Sequence, residues 1–481
     1  MSFTTFAFMG FVIIIFALYH IMPTRLKPYV LCGANIYFCL SFSGTLPYLM
    51  ICTVLVWGAG LLLERSRNKA SLLPLMLILL CLMPLVFYKY LPFLASLTAP
   101  FIPVALTLSP LLEKLLVPMG ISYFTLKNAS YLIDIKRLKL HAEPNLIRYW
   151  NCAAFFPQLT AGPIQRPCEL LPQLNKACSF NAELAYISCG RIAYGIFLKL
   201  CIADNLSKAT SLLQDFKNAH ELALIFALLF YSVQIYCDFA GYSEISIGVA
   251  GLLGYEVGEN FISPYTALTV QDFWRRWHIS LSSFLKDYVY IPLGGNRKGK
   301  MRKYLNLLCI FALSGLWHGA GAGYIVWGLL HGVYMCVGSL TLCLRKRIKA
   351  AIHLAEDSRF QRVFATLFTF VLVTFAWLFF AVPNISSAFQ ILNKMVNIPI
   401  FNWFYVQECL TMLGFTVPSL VRMLVFILIV FGIDISSRKI GFGKWYADLP
   451  HKWHIVLLYA CVLCVLFFGA GSGGDFIYFK F

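Results

Sequence analysis

A chain of 481 residues that is 60% hydrophobic and only 12% charged cannot hide that much apolar surface in a water-soluble core, so lipid must be the solvent for most of it. The net charge of +18 would suit a nucleic-acid partner. Its basic residues are instead scattered over short segments flanking apolar runs, where anionic lipid is the nearer counter-charge, and no nucleic-acid binding is expected.

A spanning helix takes about 20 mostly apolar residues. Such runs fall near 3–22, 28–44, 46–63, 71–92, 116–134, 183–203, 222–240, 304–320, 323–343, 361–383, 420–435 and 453–470. The first is not a cleavable signal, because no Lys or Arg precedes Arg25 and no small-residue cleavage site follows it; it is expected to remain as a span. Stretches near 93–112, 147–165 and 242–256 are shorter or broken and read as half-spans or re-entrant helices. No polar linker interrupts the series, so 1–481 reads as one all-α, polytopic membrane domain of about 11–13 spanning helices. The 16 cysteines lie mostly within apolar runs, as Cys237, Cys461 and Cys464 do, without the spacing of a disulfide framework or a metal site; none is assigned to a metal.

Lys and Arg recur at 25–27, 65–69, 136–139, 297–303, 345–349 and 438–444, whereas 41–45 and 384–419 carry few charges. The positive-inside rule places the basic loops in the cytoplasm and the N-terminus outside. One further helix, 453–470, then carries the tail 471–481 to the outer face.

Several polar strings interrupt the apolar background. Phe-Phe-Pro-Gln-Leu-Thr-Ala-Gly-Pro-Ile-Gln-Arg at 155–166 carries Pro157, Gly162 and Pro163, which stop a helix partway and leave a re-entrant turn lining a cavity. In the string at 234–244, Asp238 and Glu244 lie at membrane depth, where carboxylates face the protein interior and need partners; scaffolding of a cavity wall is their expected role.

At 272–282 the chain reads Asp-Phe-Trp-Arg-Arg-Trp-His-Ile-Ser-Leu-Ser, and Trp274, Trp277, His278, Leu281 and Leu285 share one side at helical spacing. The pattern is that of an interfacial helix, either an aromatic belt with snorkelling arginines or a site with His278 pointing inward. The following Pro-Leu-Gly-Gly-Asn-Arg-Lys-Gly at 292–299 is too short and basic for a nucleotide P-loop, but can hold phosphates through Arg297, Lys298 and Lys300, or Arg302.

The string Leu-Ser-Gly-Leu-Trp-His-Gly-Ala-Gly-Ala-Gly at 313–323 places His318 among four glycines. A helix beginning near Lys303 and rising about 1.5 Å per residue sets His318 roughly 22 Å from the basic flank, within a hydrocarbon core of about 30 Å. The glycines either open the backbone beside a cavity or serve close helix packing. His331, inside the next span, reads as a structural histidine hydrogen-bonded between helices.

These blocks, together with Val-Pro-Met-Gly-Ile-Ser-Tyr at 117–123 and Tyr-Leu-Ile-Asp at 131–134, resemble in their order the membrane-bound O-acyltransferase (MBOAT) family. The nearer branch is that of the alginate and peptidoglycan O-acetyltransferases (AlgI/PatA-like), with the teichoic-acid D-alanylation protein DltB more distant. Lys127, Asn128 and Glu244 depart from the pattern of that branch. The resemblance implies a helical bundle around a central tunnel, His318 as catalytic residue and His278 as its support. It also implies acetyl-CoA as acyl donor with no bound cofactor, and an extracytoplasmic acetyltransferase partner (PatB-like or AlgJ/AlgX-like) in the bacterial cytoplasmic membrane. Trp277, Trp317, Arg275, Arg276, Asp287, Asn296, Arg297, Lys298 and Lys300 form the candidate substrate-binding set. The tail Asp-Phe-Ile-Tyr-Phe-Lys-Phe at 475–481 is similar to an aromatic motif of the branch in which the tyrosine, here Tyr478, is a candidate acyl carrier; its alternative is an interfacial anchor. A secondary transporter or lipid-handling channel, which also uses broken helices, remains the rival class, although no mirrored repeat is visible.

Overall fold

Where lipid replaces water, backbone N–H and C=O groups find partners only within the chain, and apolar runs of this length are driven into helices. The computed structural model describes residues 1–42, 44–66, 72–98, 117–176, 179–351, 358–397 and 402–471, and among them every regular element is helical. Each predicted span falls on a helix. Eight of the described helices are long and apolar enough to cross a membrane. Leu73–Ala95 and His451–Phe468 are apolar almost all round, with Leu79, Leu80, Leu466 and Phe467 exposed, as helices bathed in lipid are. The chain is a multi-pass membrane protein.

The other predicted spans are helices of a different kind. Phe6–Ile21 and Ile121–Lys136 have 16 residues each and Lys27–Leu40 has 14, while Lys300–His318 opens with Lys300, Arg302 and Lys303. Of the three broken stretches, 242–256 is no half-span, because its residues to Leu252 form the end of the 32-residue helix Glu221–Leu252. Stretch 93–112 is described only as far as Thr98, at the end of Leu91–Thr98. The third, 147–165, gives a two-turn helix, Leu146–Ala153, followed by buried turns. Among the described residues, those turns border a gap of only about 10 Å³ beside Lys127, Gln158 and Gln165. Lys127 Nζ donates to Gln158 Oε1 at 3.2 Å, Gln158 Nε2 to Gln165 Oε1 at 2.8 Å, and Gln165 Nε2 to the Glu256 carbonyl at 2.9 Å. This polar chain fills the space that the sequence reads as a cavity.

By packing, the chain divides into two compact units, Met1–Ile192 with Ser243–Gly258, and Ala193–Tyr242 with Glu259–Phe481. Each contains a buried ion pair of the kind expected of membrane-depth carboxylates. In the first, Arg191 Nη1 meets Glu244 at 3.0 Å. In the second, Lys199 Nζ lies 2.7 Å from Asp204 and 2.8 Å from Asp238.

Within the second unit, Lys300–His318 and Ala322–Leu340 form a hairpin whose backbones nearly touch. A Cβ on Gly328 would strike the Phe311 carbonyl oxygen, and one on Gly315 the Tyr324 carbonyl oxygen. Gly315 and Gly328 therefore serve close packing. Gly319, extended at φ −161, ends the first helix immediately after His318. Overpacking such a crossing costs about 1–3 kcal/mol. Gly328→Ala is thus expected to lower the apparent Tm of the detergent-solubilised protein, whereas Gly338→Ala, with nothing within 4 Å of the added methyl, leaves it unchanged. Equal melting of the two variants would overturn this account of the crossing.

Candidate functional site

His318 closes the helix Lys300–His318 and is 2% exposed. Its ring lies 4.9 Å from Trp317, 5.1 Å from Trp327 and 5.4 Å from Phe380, centroid to centroid, with the His278 ring at 6.1 Å. Trp327 stacks on Trp377 at 5.4 Å, and Trp377 meets Trp277 at 5.1 Å. The two imidazoles share an aromatic chamber.

His278 gets there by a break that the sequence pattern does not reveal. Instead of one interfacial helix over 272–285, the chain forms Val270–Arg276 and Ile279–Leu285, with Trp277 extended between them and His278 at φ +44. A side-chain-bearing residue in that left-handed region is uncommon and needs support. Asn260 supplies it. Its carbonyl accepts the Ile279 N–H at 3.0 Å, and its Oδ1 accepts the Ser280 N–H at 3.3 Å and the Ser280 hydroxyl at 2.8 Å. Trp277 and His278 are consequently fully buried, not belted around a membrane surface.

The same contacts fix the state of His278. Its Nδ1 lies 3.2 Å from Asn260 Oδ1, an atom that accepts a main-chain N–H and so is the amide oxygen with no proton to give. The one hydroxyl proton of Ser280 is already directed at that oxygen. His278 must therefore carry its own proton on Nδ1, leaving Nε2 as the lone-pair nitrogen. Nε2 has no hydrogen-bond partner among the described residues. Burial pushes this imidazole down to about 3, so it is neutral at physiological pH.

Beside the chamber lies a pocket of about 340 Å³ whose lining includes Trp274, Arg275, Lys286 and, on the long helix, Leu307, Ile310, Phe311 and Ser314. Those four helix residues recur at i, i+3, i+4 and i+7, and His318 continues the same face one turn further on. By helical rise, Ser314 precedes His318 by about 6 Å and Leu307 by about 17 Å. The Trp274 ring meets Trp327 at 5.7 Å, and Trp327 in turn meets His318. The helix face that lines the pocket thus leads towards His318, which lies one turn beyond the lining.

The candidate set separates under this geometry. His278, His318, Trp277 and Trp317 surround one chamber, with 5.7 Å between the His278 and Trp317 rings. Arg275 lines the pocket. Its neighbour Arg276 turns elsewhere, pairing through Nε with Asp272 at 3.0 Å and donating from Nη1 to the Arg438 carbonyl at 2.9 Å. Asp287 is half-buried in the turn Lys286–Tyr290. Asn296, Arg297 and Lys298 are exposed on a loop that Asn306 Nδ2 holds by the Gly295 carbonyl at 3.0 Å, and Lys300 is exposed at the start of the helix that follows it. That loop lies at the opposite end of Lys300–His318 from the histidine. Tyr478 lies outside the described residues.

His331 is fully buried, but the structure gives it rings in place of the expected hydrogen bond. It lies 5.1 Å from Trp274 and 5.2 Å from Trp327, and neither ring nitrogen has a hydrogen-bond partner among the described residues. Sequence reasoning missed Asn260, Ser314 and Trp327. Asn260 carries no local signal, because the break it holds lies 18 residues downstream. The spacing of Leu307, Ile310, Phe311 and Ser314 to His318 was the available clue to Ser314.

If Asn260 is the support described, Asn260→Leu strands the Ser280 hydroxyl and the His278 N–H, at about 1–3 kcal/mol for each buried group. A clearly lower apparent Tm is expected, with a smaller drop in Ser280→Ala. Equal melting of wild type and Asn260→Leu would overturn the assignment.

A family model described as the membrane-bound O-acyltransferase family matches residues 107–382. The chain is 36% identical over 315 residues to a peptidoglycan O-acetyltransferase of Helicobacter pylori, covering 59% of this chain and 58% of that protein. It is 37% identical over 287 residues to the protein named "Probable alginate O-acetylase AlgI" of Pseudomonas fluorescens, covering 60% and 56%. To a teichoic acid D-alanyltransferase of Bacillus subtilis it is 26% identical over 397 residues, covering 79% and 97%. The match thus spans little more than half the length of the first two relatives.

Proposed function

The chain belongs to the membrane-bound O-acyltransferase family, and we propose that it moves an acetyl group from cytoplasmic acetyl-CoA towards a hydroxyl of an extracytoplasmic polysaccharide. The observation that carries this reading is the pair of buried histidines, 6.1 Å apart, at the end of a pocket-lined helix face. Peptidoglycan or an alginate-like polymer is the acceptor class suggested by the names of the more identical relatives. D-alanyl transfer to teichoic acid is the second reading, carried by the longer but weaker match.

In this scheme the exposed Arg297, Lys298 and Lys300, with Arg302, hold the phosphates of the thioester, and its apolar arm follows the pocket past Arg275 towards His318. His318 takes the proton of the attacking hydroxyl, the oxygen bonds to the acyl carbon, and the carbon–sulfur bond breaks. The thiolate leaves and is protonated as free coenzyme A. A tyrosine, with an unperturbed pKa of about 10, needs such a base to become a nucleophile. Tyr478 is the proposed first acceptor, in a tail placed outside by the charge distribution. His278, neutral and with its Nε2 lone pair available, supports the proton transfer. A central tunnel would give the acyl group its route, and an extracytoplasmic acetyltransferase would pass it to the sugar. The protein would lie in a bacterial cytoplasmic membrane with both ends outside.

Purified protein incubated with radiolabelled acetyl-CoA is expected to retain label on its C-terminal peptide, and to lose it in Tyr478→Phe and in His318→Ala. Loss of a positioned base costs about 10²–10⁴-fold, so thioester consumption by His318→Ala should fall by that much. Unchanged consumption in His318→Ala would refute acyl transfer through this histidine and favour a transporter. Normal labelling of Tyr478→Phe would make the tail an anchor. A second prediction concerns the pocket. Ile310→Trp fills it and should raise KM for acetyl-CoA more than it lowers kcat, whereas an unchanged KM would remove the pocket from the donor path.

A further inference from the structure

A second pocket, of about 330 Å³, lies within the first unit, far in sequence from either histidine. That volume is at the lower end of the roughly 300–1,000 Å³ typical of ligand sites. Four cations line it: Arg25, Lys27, Arg148 and Lys176. None of its lining residues is a carboxylate. Just beyond the lining, Glu143 pairs with Arg148 at 3.0 Å and Glu256 follows the lining residue Tyr255, so the four cations outnumber these two carboxylates and leave the pocket net positive. Arg25 and Lys176 are exposed at the rim, and neither has an ion-pair partner among the described residues.

The floor is built, not incidental. Lys27 is buried, with its ammonium 5.1 Å from the centre of the Tyr19 ring. The Tyr19 and Tyr255 hydroxyls are 2.7 Å apart. Asn151 donates to the Pro28 carbonyl at 2.8 Å and accepts from Asn35 at 3.1 Å. These contacts fix Lys27 and the floor of the concavity, above which the mutual repulsion of the four cations is relieved by an anion.

We propose that this pocket binds the phosphodiester head of an anionic membrane lipid. Phosphate is the shared chemistry of two sources, a lipid and a soluble phosphate ester, and the surroundings favour the lipid. Ile21 at the end of an apolar helix, Leu26 just before Lys27 and Leu146 at the start of Leu146–Ala153, at 77%, 47% and 37% exposure, flank the cations in the chain, where acyl chains would lie against them. Basic pockets between membrane helices are the usual receptors for such heads. The site is independent of the acyl-transfer reading, and its test involves no turnover.

Full-length protein in neutral detergent would be examined by native mass spectrometry with added dioleoylphosphatidylglycerol, dioleoylphosphatidylcholine or inorganic pyrophosphate. Wild type is expected to retain phosphatidylglycerol over phosphatidylcholine. The rim variant Arg25→Gln/Lys176→Gln should weaken that retention by about 30-fold, given what each cation contributes near an anionic head. The exposed control Lys346→Gln/Arg347→Gln should retain it as wild type does. Equal retention in both variants, or equal retention of the two lipids, overturns the proposal. So does displacement of phosphatidylglycerol by pyrophosphate, which would assign the pocket to a soluble phosphate ester.

Discussion

Without the hydrogen bonds that Asn260 Oδ1 accepts, the chain from 270 to 285 would have no reason to abandon its helix at Trp277. An uninterrupted helix would keep its backbone bonds and its amphipathic face, with His278 near the membrane surface. The main-chain carbonyl and the side-chain oxygen of Asn260 together take up the N–H groups freed at the break, and this makes a left-handed His278 tolerable. From that one anchor follow the burial of Trp277, the approach of His278 to His318 and the assignment of its proton to Nδ1. The long helix contributes the other half: Gly319 ends it so that His318 occupies its last turn, and the glycine crossing with Ala322–Leu340 sets Trp327 against the imidazole.

What could be read from the sequence was whatever depends on composition along a single element. Apolar length located the helices, and the helix end beside His318 and the need of Asp238 and Glu244 for partners followed from local pattern. The break at 277–278 was not legible, because Trp274, Trp277, Leu281 and Leu285 fit an unbroken helix and the competing acceptor sits in a loop without a motif. The cavity expected beside 155–166 failed for a related reason. Sequence shows that Lys127, Gln158 and Gln165 are polar, but not that they reach one another, and once they do the gap beside them is only about 10 Å³. Adjacent Arg275 and Arg276 likewise look interchangeable until Asp272 and the Arg438 carbonyl claim one of them.

Polar groups in this protein are handled in two distinct ways. Lys199, Arg191 and Lys127 are closed off by carboxylates or amides, which suits scaffolding at membrane depth. The histidine chamber is walled by rings that offer few hydrogen bonds, and it leaves at least one basic nitrogen, His278 Nε2, without a hydrogen-bond partner among the described residues. A dry wall around an unengaged base raises the worth of any proton donor that reaches it.

The left-handed backbone at His278 also governs which replacements report on its ring. Most side chains at that φ carry a steric penalty of about 1–2 kcal/mol, which asparagine tolerates well and glycine escapes. An alanine there removes the imidazole but keeps the strain that Asn260 and His278 share, so ring loss and backbone relaxation become entangled. Asparagine would hold the turn with a neutral amide, and glycine would release it. Read together, that pair separates the chemistry of the imidazole from the geometry that delivers it.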